Sequence, residues 1–293
     1  MKLLKKLAAA TAVSFAMMGA AQAETVLNNW VFNPAGTGFA TGQKVNEYLD
    51  INGNAFIQIA PTGGTSFSFT EHGVFNSVQA DGKGALFPLN PNFGGKNITA
   101  VFEATGTGTF GGGFSFTGGT ISIYSNTYGA YGVADGPGGS VYGADLGTLI
   151  ATFDVMSGGG GNVDATGNPT NNGQITVLAK ASTPGGLASG YFFNAAGTDL
   201  STTDLLSFAF TNANTIGTPD AAMVSEIACQ YSGFTGAGCG TGTYANSNTA
   251  FFVSNNGQFK LAEVPEPGSL ALFGIAMLGA GVVSRKRAAN KAA

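Results

Sequence analysis

The sequence predicts an all-β chain, a β-sandwich of jelly-roll type, followed by a short C-terminal transmembrane helix. Three observations predict it. Apolar and polar residues alternate with period two over many short segments, Gly, Pro and Asn punctuate those segments, and only 10% of the chain is charged. Period two puts every second side chain on one face of a strand, so each strand has one apolar and one solvated face. About ten such strands suit two packed sheets.

The first element is a secretory signal over residues 1–23. Lys2, Lys5 and Lys6 precede an apolar run from Leu7 to Ala20, and Ala21-Gln22-Ala23 provides an A-x-A cleavage site. Cleavage after Ala23 starts the mature chain at Glu24.

The ectodomain is expected over residues 24–263. Alternation is clear in "TSFSFTEHGVF" (65–75), "NITAVFEAT" (97–105), "GFSFTGGTISIY" (113–124), "TLIATFDVM" (148–156), "QITVLAK" (174–180), "LLSFAFT" (205–211) and "TAFFVSNNGQFKLA" (249–262). Trp30 is assigned to the core of the first strand. "AAMVSEIAC" (221–229) reads as one short helix, and "GGGGNVDATGNPTNNG" (158–173) as a long loop or weak domain boundary. In an exported chain Cys229 and Cys239 are expected to form a disulfide, since the compartment oxidises and the spacing is not CxxC.

Charge excludes one class of function. Between the two ends the only cations are Lys44, Lys83, Lys96, Lys180 and Lys260, against all but one of the 16 acidic residues. A net charge of about −10 repels phosphate backbones, so no nucleic-acid partner is expected.

Several chemical motifs almost form. "GTGTFG" (106–111) matches G-x-G-x-x-G, but a strand follows where a dinucleotide site needs a helix, so it reads as a hairpin connection. "DINGNA" (50–55) offers Asp50, Asn52 and Asn54 as a calcium loop would, then places Ala55 and Pro61 where the loop requires Gly and Glu. An irregular calcium site from loop carboxylates stays open; otherwise no cofactor and no metal ligand set is expected. His72 is the only His and reads as structural or surface, with Glu71 placed on the face opposite Phe67 and Phe69. No G-x-S-x-G elbow exists, and no carboxylate pair is marked, so no catalytic residue is assigned. In "YSNTYGAYGVADGPGGSVYG" (124–143), Tyr124, Tyr128, Tyr131 and Tyr142 lie among Gly and Asn. Those rings could contact sugars, or pack over sheet ends with their hydroxyls reaching water.

The last element spans residues 264–293. Val264-Pro265-Glu266-Pro267 precedes an apolar helix expected at 269–284, and Arg285-Lys286-Arg287 opens a basic tail at 285–293. The unbroken apolar core, Leu270 to Val283, is short against a bilayer about 30 Å thick, which suits a transient hold in the inner membrane better than a permanent anchor. The basic triplet would stay cytoplasmic.

This order of Pro-Glu-Pro, apolar helix and basic cluster resembles the PEP-CTERM sorting segment of exported bacterial proteins. The resemblance implies processing by an exosortase, a membrane protease, and display at the cell surface or in the extracellular matrix. "LNNWVFNPAGTGFATGQKVNEYLDINGNAFIQI" (27–59) and "FTEHGVFNSVQADGKG" (69–84) are similar to the flocculation-associated PEP-CTERM proteins. That similarity implies a non-catalytic role in cell aggregation or biofilm with extracellular polysaccharide. A carbohydrate-binding module is the alternative, and a matrix glycan hydrolase the third reading.

Overall fold

The computed structural model describes residues 25–89, 93–136, 138–170, 173–182, 186–240 and 242–264. Val26–Glu263 form one compact unit. The signal segment with Ala21 and Ala23, and the sorting residues from Pro265 to Arg287 with the apolar helix between them, lie outside the described residues. Among the described residues no helix is long and apolar enough to cross a membrane.

Among the described residues fourteen strands follow in chain order. They are β1 (Thr25–Val26), β2 (Trp30–Phe32), β3 (Gln43–Val45), β4 (Tyr48–Gly63), β5 (Ser66–Asp81), β6 (Leu86–Pro88) and β7 (Lys96–Thr109). Then come β8 (Gly113–Thr127), β9 (Thr148–Val155), β10 (Gly158–Asn162), β11 (Gln174–Ala181), β12 (Phe192–Phe193), β13 (Leu205–Thr215) and β14 (Ala250–Glu263).

The expected all-β class is what the chain adopts, but the architecture differs from a sandwich. One antiparallel sheet runs β4-β5-β7-β8-β9/β10-β11-β13-β14, and β14 returns to pair with β4 from Ala250↔Gln58 to Lys260↔Tyr48. The sheet therefore closes into an up-and-down barrel. β9 and β10 act as one interrupted strand, since Asp154 meets Thr120 and Gly158 meets Phe116 on the same neighbour. Closure satisfies both edges of the sheet and leaves one interior, where a sandwich would have two facing sheets.

The apolar stripe of each strand lines that interior. Leu49, Ala55, Ile57 and Ile59 of β4, Ile175, Val177 and Ala179 of β11, and Phe251, Val253, Phe259 and Leu261 of β14 belong to one buried cluster. Many outward positions of β4, β13 and β14 are polar, among them Asn52, Asn54, Asn212, Asn214 and Asn256. Phe67 and Phe69 need room across the barrel wall, and their register partners are Gly108 and Gly106. A Cβ on Gly106 would stand 2.3 Å from the Phe69 ring, and one on Gly108 2.4 Å from that of Phe67. The near-motif "GTGTFG" is thus explained by ring packing at the end of β7, rather than by a hairpin loop throughout.

The small sheet β12-β2-β3 packs its rings into the same buried cluster as the barrel interior. Trp30, Phe32 and Phe192 are fully enclosed there, with ring centroids 5.1–6.3 Å apart. Burying each such side chain contributes about 2–3 kcal/mol. The indole N–H of Trp30 donates to the Glu47 carbonyl at 3.2 Å.

Three readings need correction. Residues 48–63 form a long strand that the sequence analysis did not assign, because Asp, Asn and Gly obscured the inward set Leu49, Ile51, Ala55, Ile57 and Ile59. Gly158–Asn162 is strand β10, so the first part of the Gly-rich stretch is barrel wall, residues 163–170 form the expected loop, and the stretch lies within one compact unit. Glu71 shares the face of Phe67 and Phe69, because residues two apart on a strand point the same way. It is buried at 4% exposure inside the barrel.

Candidate functional site

Outside the barrel, a nine-residue π-helix, Met223–Tyr231, lies across β4 and β5. Val224, Ile227 and Ala228 pack with Phe56, Val74, Ala250 and Phe252, which are outward residues of β4, β5 and β14. Cys229 and Cys239 are joined in a disulfide that ties the helix to the following loop.

The structure does not gather the four tyrosines into one exposed face. Tyr128 is exposed and Tyr124 half-buried, whereas Tyr142 is buried in the cluster beneath the helix. The Tyr142 hydroxyl donates to Asp220 Oδ2 at 3.3 Å, and burial, with the nearby Asp220, pushes its pKa up to about 12. The Tyr131 hydroxyl donates to the Val74 carbonyl at 3.1 Å, and burial holds it far above its usual range. His72 is half-buried, with its ring 4.9 Å from that of Tyr231 and its Nε2 3.8 Å from Glu103. Burial lowers its pKa and Glu103 partly opposes that shift. This His is a packing residue under the helix.

Below the helix the outer surface changes character. β5, β4, β14, β13 and β11 place Asn76, Asn52, Asn256, Asn212 and Gln174 in one register row. Partners directly opposite on neighbouring strands project from the same face, so five carboxamides run side by side across five strands. At about 4.8 Å per strand the row is about 19 Å long. A second row holds Asn54, Ser254 and Asn214, and a third Gln79, Asp50, Gln258 and Phe210.

The first row, short of Gln174, and the second row line a surface groove of about 330 Å³ bounded by Asn52, Asn54, Asn76, Asn212, Asn214 and Tyr131, and the third row runs beside it. Of the four tyrosines, only Tyr131 joins it. Asn256 Nδ2 donates to Asn52 Oδ1 at 2.6 Å, which orders the middle of the row. The Phe210 ring is 44% exposed at the edge, with Lys260 Nζ 5.7 Å from its centroid. Lys260 also pairs with Glu47. The groove lining itself is uncharged. Partial burial raises the pKa of nearby Asp50, and its bond with Asn52 opposes that.

Each carboxamide offers a donor pair and an acceptor, the complement of a hydroxyl. An exposed ring beside them offers an apolar face for C–H groups. No single sequence motif marks this site. Its signal is amides spaced two apart in strands, Asn52/Asn54, Asn212/Asn214 and Asn256/Gln258, which period two sends to the solvent face. Asp50, Asn52 and Asn54 lie along extended β4 instead of curling as a calcium loop does. Among the described residues no three His, Cys, Asp or Glu side chains gather in a metal-binding group.

The fold and groove together define a closed antiparallel barrel with an uncharged, amide-rich groove on its outer face. Its last strand ends at Glu263, and residues 263–287 match the family model described as the PEP-CTERM protein-sorting motif. Neither the curated proteins nor the solved structures gave a match. The chain therefore carries an exosortase sorting signal, and it is an exported protein processed at its C-terminus and displayed at the surface.

Proposed function

We propose that the exported barrel is a non-catalytic adhesin of the extracellular matrix, which promotes cell aggregation by holding polysaccharide in its carboxamide groove. The observation that carries this reading is the in-register row Asn76, Asn52, Asn256, Asn212 and Gln174. A hydroxyl-rich polymer can exchange its water hydrogen bonds for amide ones along such a row, and stack an apolar sugar face on Phe210. The uncharged lining favours a neutral sugar backbone over a charged one. The sorting motif and the similarity to flocculation-associated sequences support a matrix location for this binding.

The carbohydrate-binding reading of the tyrosine loop thus moves to a different surface, with Tyr131 as the shared residue. The hydrolase reading has less support, because Glu71, the carboxyl with the most perturbed acidity, is enclosed in the barrel with no second carboxyl lining its cavity. The test is binding of the exported protein to exopolysaccharide from its own host. Substituting Asn212, Asn214 and Phe210 by Ala together should abolish that binding and reduce aggregation. Unchanged binding by the triple variant would sink the proposal.

A further inference from the structure

The barrel interior is lined mainly by apolar side chains. Glu71 projects there from β5 and lines two interior cavities, of about 70 Å³ and about 20 Å³. Phe75, Phe102, Phe116, Ile121 and Val177 supply apolar wall to the larger one. The carboxyl is almost fully buried, and burial alone perturbs it, with no hydrogen bond or neighbouring charge contributing. Asn255 lines the same cavity, and its buried Nδ2 has no hydrogen-bond partner.

Two unpartnered polar groups facing one apolar space are costly, since each keeps its desolvation penalty. Thr211 of β13 also lines this cavity, and three further polar groups of the lining are already engaged. Ser77 Oγ donates to the Gln79 carbonyl at 3.2 Å, Thr99 Oγ1 accepts from Asn126 at 3.4 Å, and Asn76 Oδ1 accepts from Asn97.

We infer that the barrel interior is a binding site for one small neutral organic molecule, a short-chain alcohol or ketone, with its oxygen at Glu71 and Asn255. A neutral carboxyl and an amide both donate, so an acceptor oxygen satisfies the two together. An ammonium group would pair with Glu71 but leave Asn255 unsatisfied, because it accepts nothing. The volume is about half the roughly 150 Å³ that admits benzene, so the occupant has about three or four heavy atoms. Eight-stranded barrels have interiors of the size that either side chains or one small ligand fills.

The test is an NMR titration of the exported protein with propan-2-ol, acetone and xenon at pH 5. Saturable shifts confined to Ile98, Ile121, Ile123 and Val177 are expected for all three probes. Glu71→Gln should keep acetone binding, since an amide still donates. Glu71→Leu should weaken acetone and propan-2-ol by about tenfold or more, the loss of one hydrogen bond, while xenon still binds. Should Glu71→Leu fail to fold, raising the wild-type sample to pH 9 removes the donor proton and should weaken acetone. Shifts that never saturate, contacts to water alone, or acetone affinity indifferent to both the variant and pH would overturn the inference. The outer groove is untouched by these changes, so polysaccharide binding reports separately.

Discussion

The backbone N–H of Tyr142 donates to Glu226 Oε2 at 2.8 Å, across 84 residues of sequence. The other oxygen of the same carboxylate accepts the N–H groups of Asp135 and Gly136, at 3.0 and 3.3 Å. Glu226 is fully buried in the π-helix, so one side chain pins the tyrosine-rich loop to the outside of the barrel. That loop in turn carries Tyr131 to the edge of the amide groove. Glu226→Ala leaves three N–H groups without an acceptor. A loss of about 3 kcal/mol is expected, from the cost of breaking charged, buried hydrogen bonds. Urea unfolding gives the magnitude, and hydrogen exchange should rise over residues 130–143.

Stability should fall as pH rises through neutrality because of Glu71. Its pKa is raised from 4.5 to about 7 by burial, so the folded state holds the proton more tightly than the unfolded state. The contribution is fully present below pH 4.5 and is lost on passing the folded value. The change over that window is about 3 kcal/mol. Urea midpoints from pH 4 to 8 measure it, and Glu71→Gln should flatten the slope. A wild-type curve as flat as that of the variant would contradict the assignment.

Reduction of Cys229–Cys239 should act locally. Closing so short a loop contributes about 2–3 kcal/mol in the chain-entropy account, and the bonded residues sit outside the barrel. Replacing both by Ser should raise exchange between 223 and 240 while the strands of the barrel stay protected.

Intact-mass measurement of the mature protein checks the sorting signal directly. The species on the cell surface is expected to lack the apolar run from Leu270 to Val283 and the basic triplet Arg285–Arg287. A mature chain retaining both would instead be held by a simple anchor.

Aggregation should respond to the groove more than to the exposed tyrosine. Deleting the gene and restoring it with Asn212→Ala, Asn214→Ala and Phe210→Ala is expected to leave cells dispersed, with the thermal midpoint within a few degrees of wild type. These side chains are outward on β13, where substitutions change stability by about 0.5 kcal/mol or less. Restoration with Tyr128→Ala should aggregate normally.

Local chemistry was legible without coordinates where it depends on neighbours in the chain. Period two identified seven of the barrel strands, because alternation is a property of consecutive residues. The export signal and the Pro-Glu-Pro segment were readable for the same reason. Tertiary structure decided what pairing across distance decides. Lys260↔Tyr48 closes the sheet into a barrel, and alternation alone describes a sandwich strand and a barrel strand equally well. Asn76, Asn52, Asn256, Asn212 and Gln174 are scattered over 205 positions of sequence, and only strand register makes them a row. Glu71 carries an unremarkable side chain in "FTEHG"; enclosure by residues from six other strands is what shifts its acidity and aims it at a cavity.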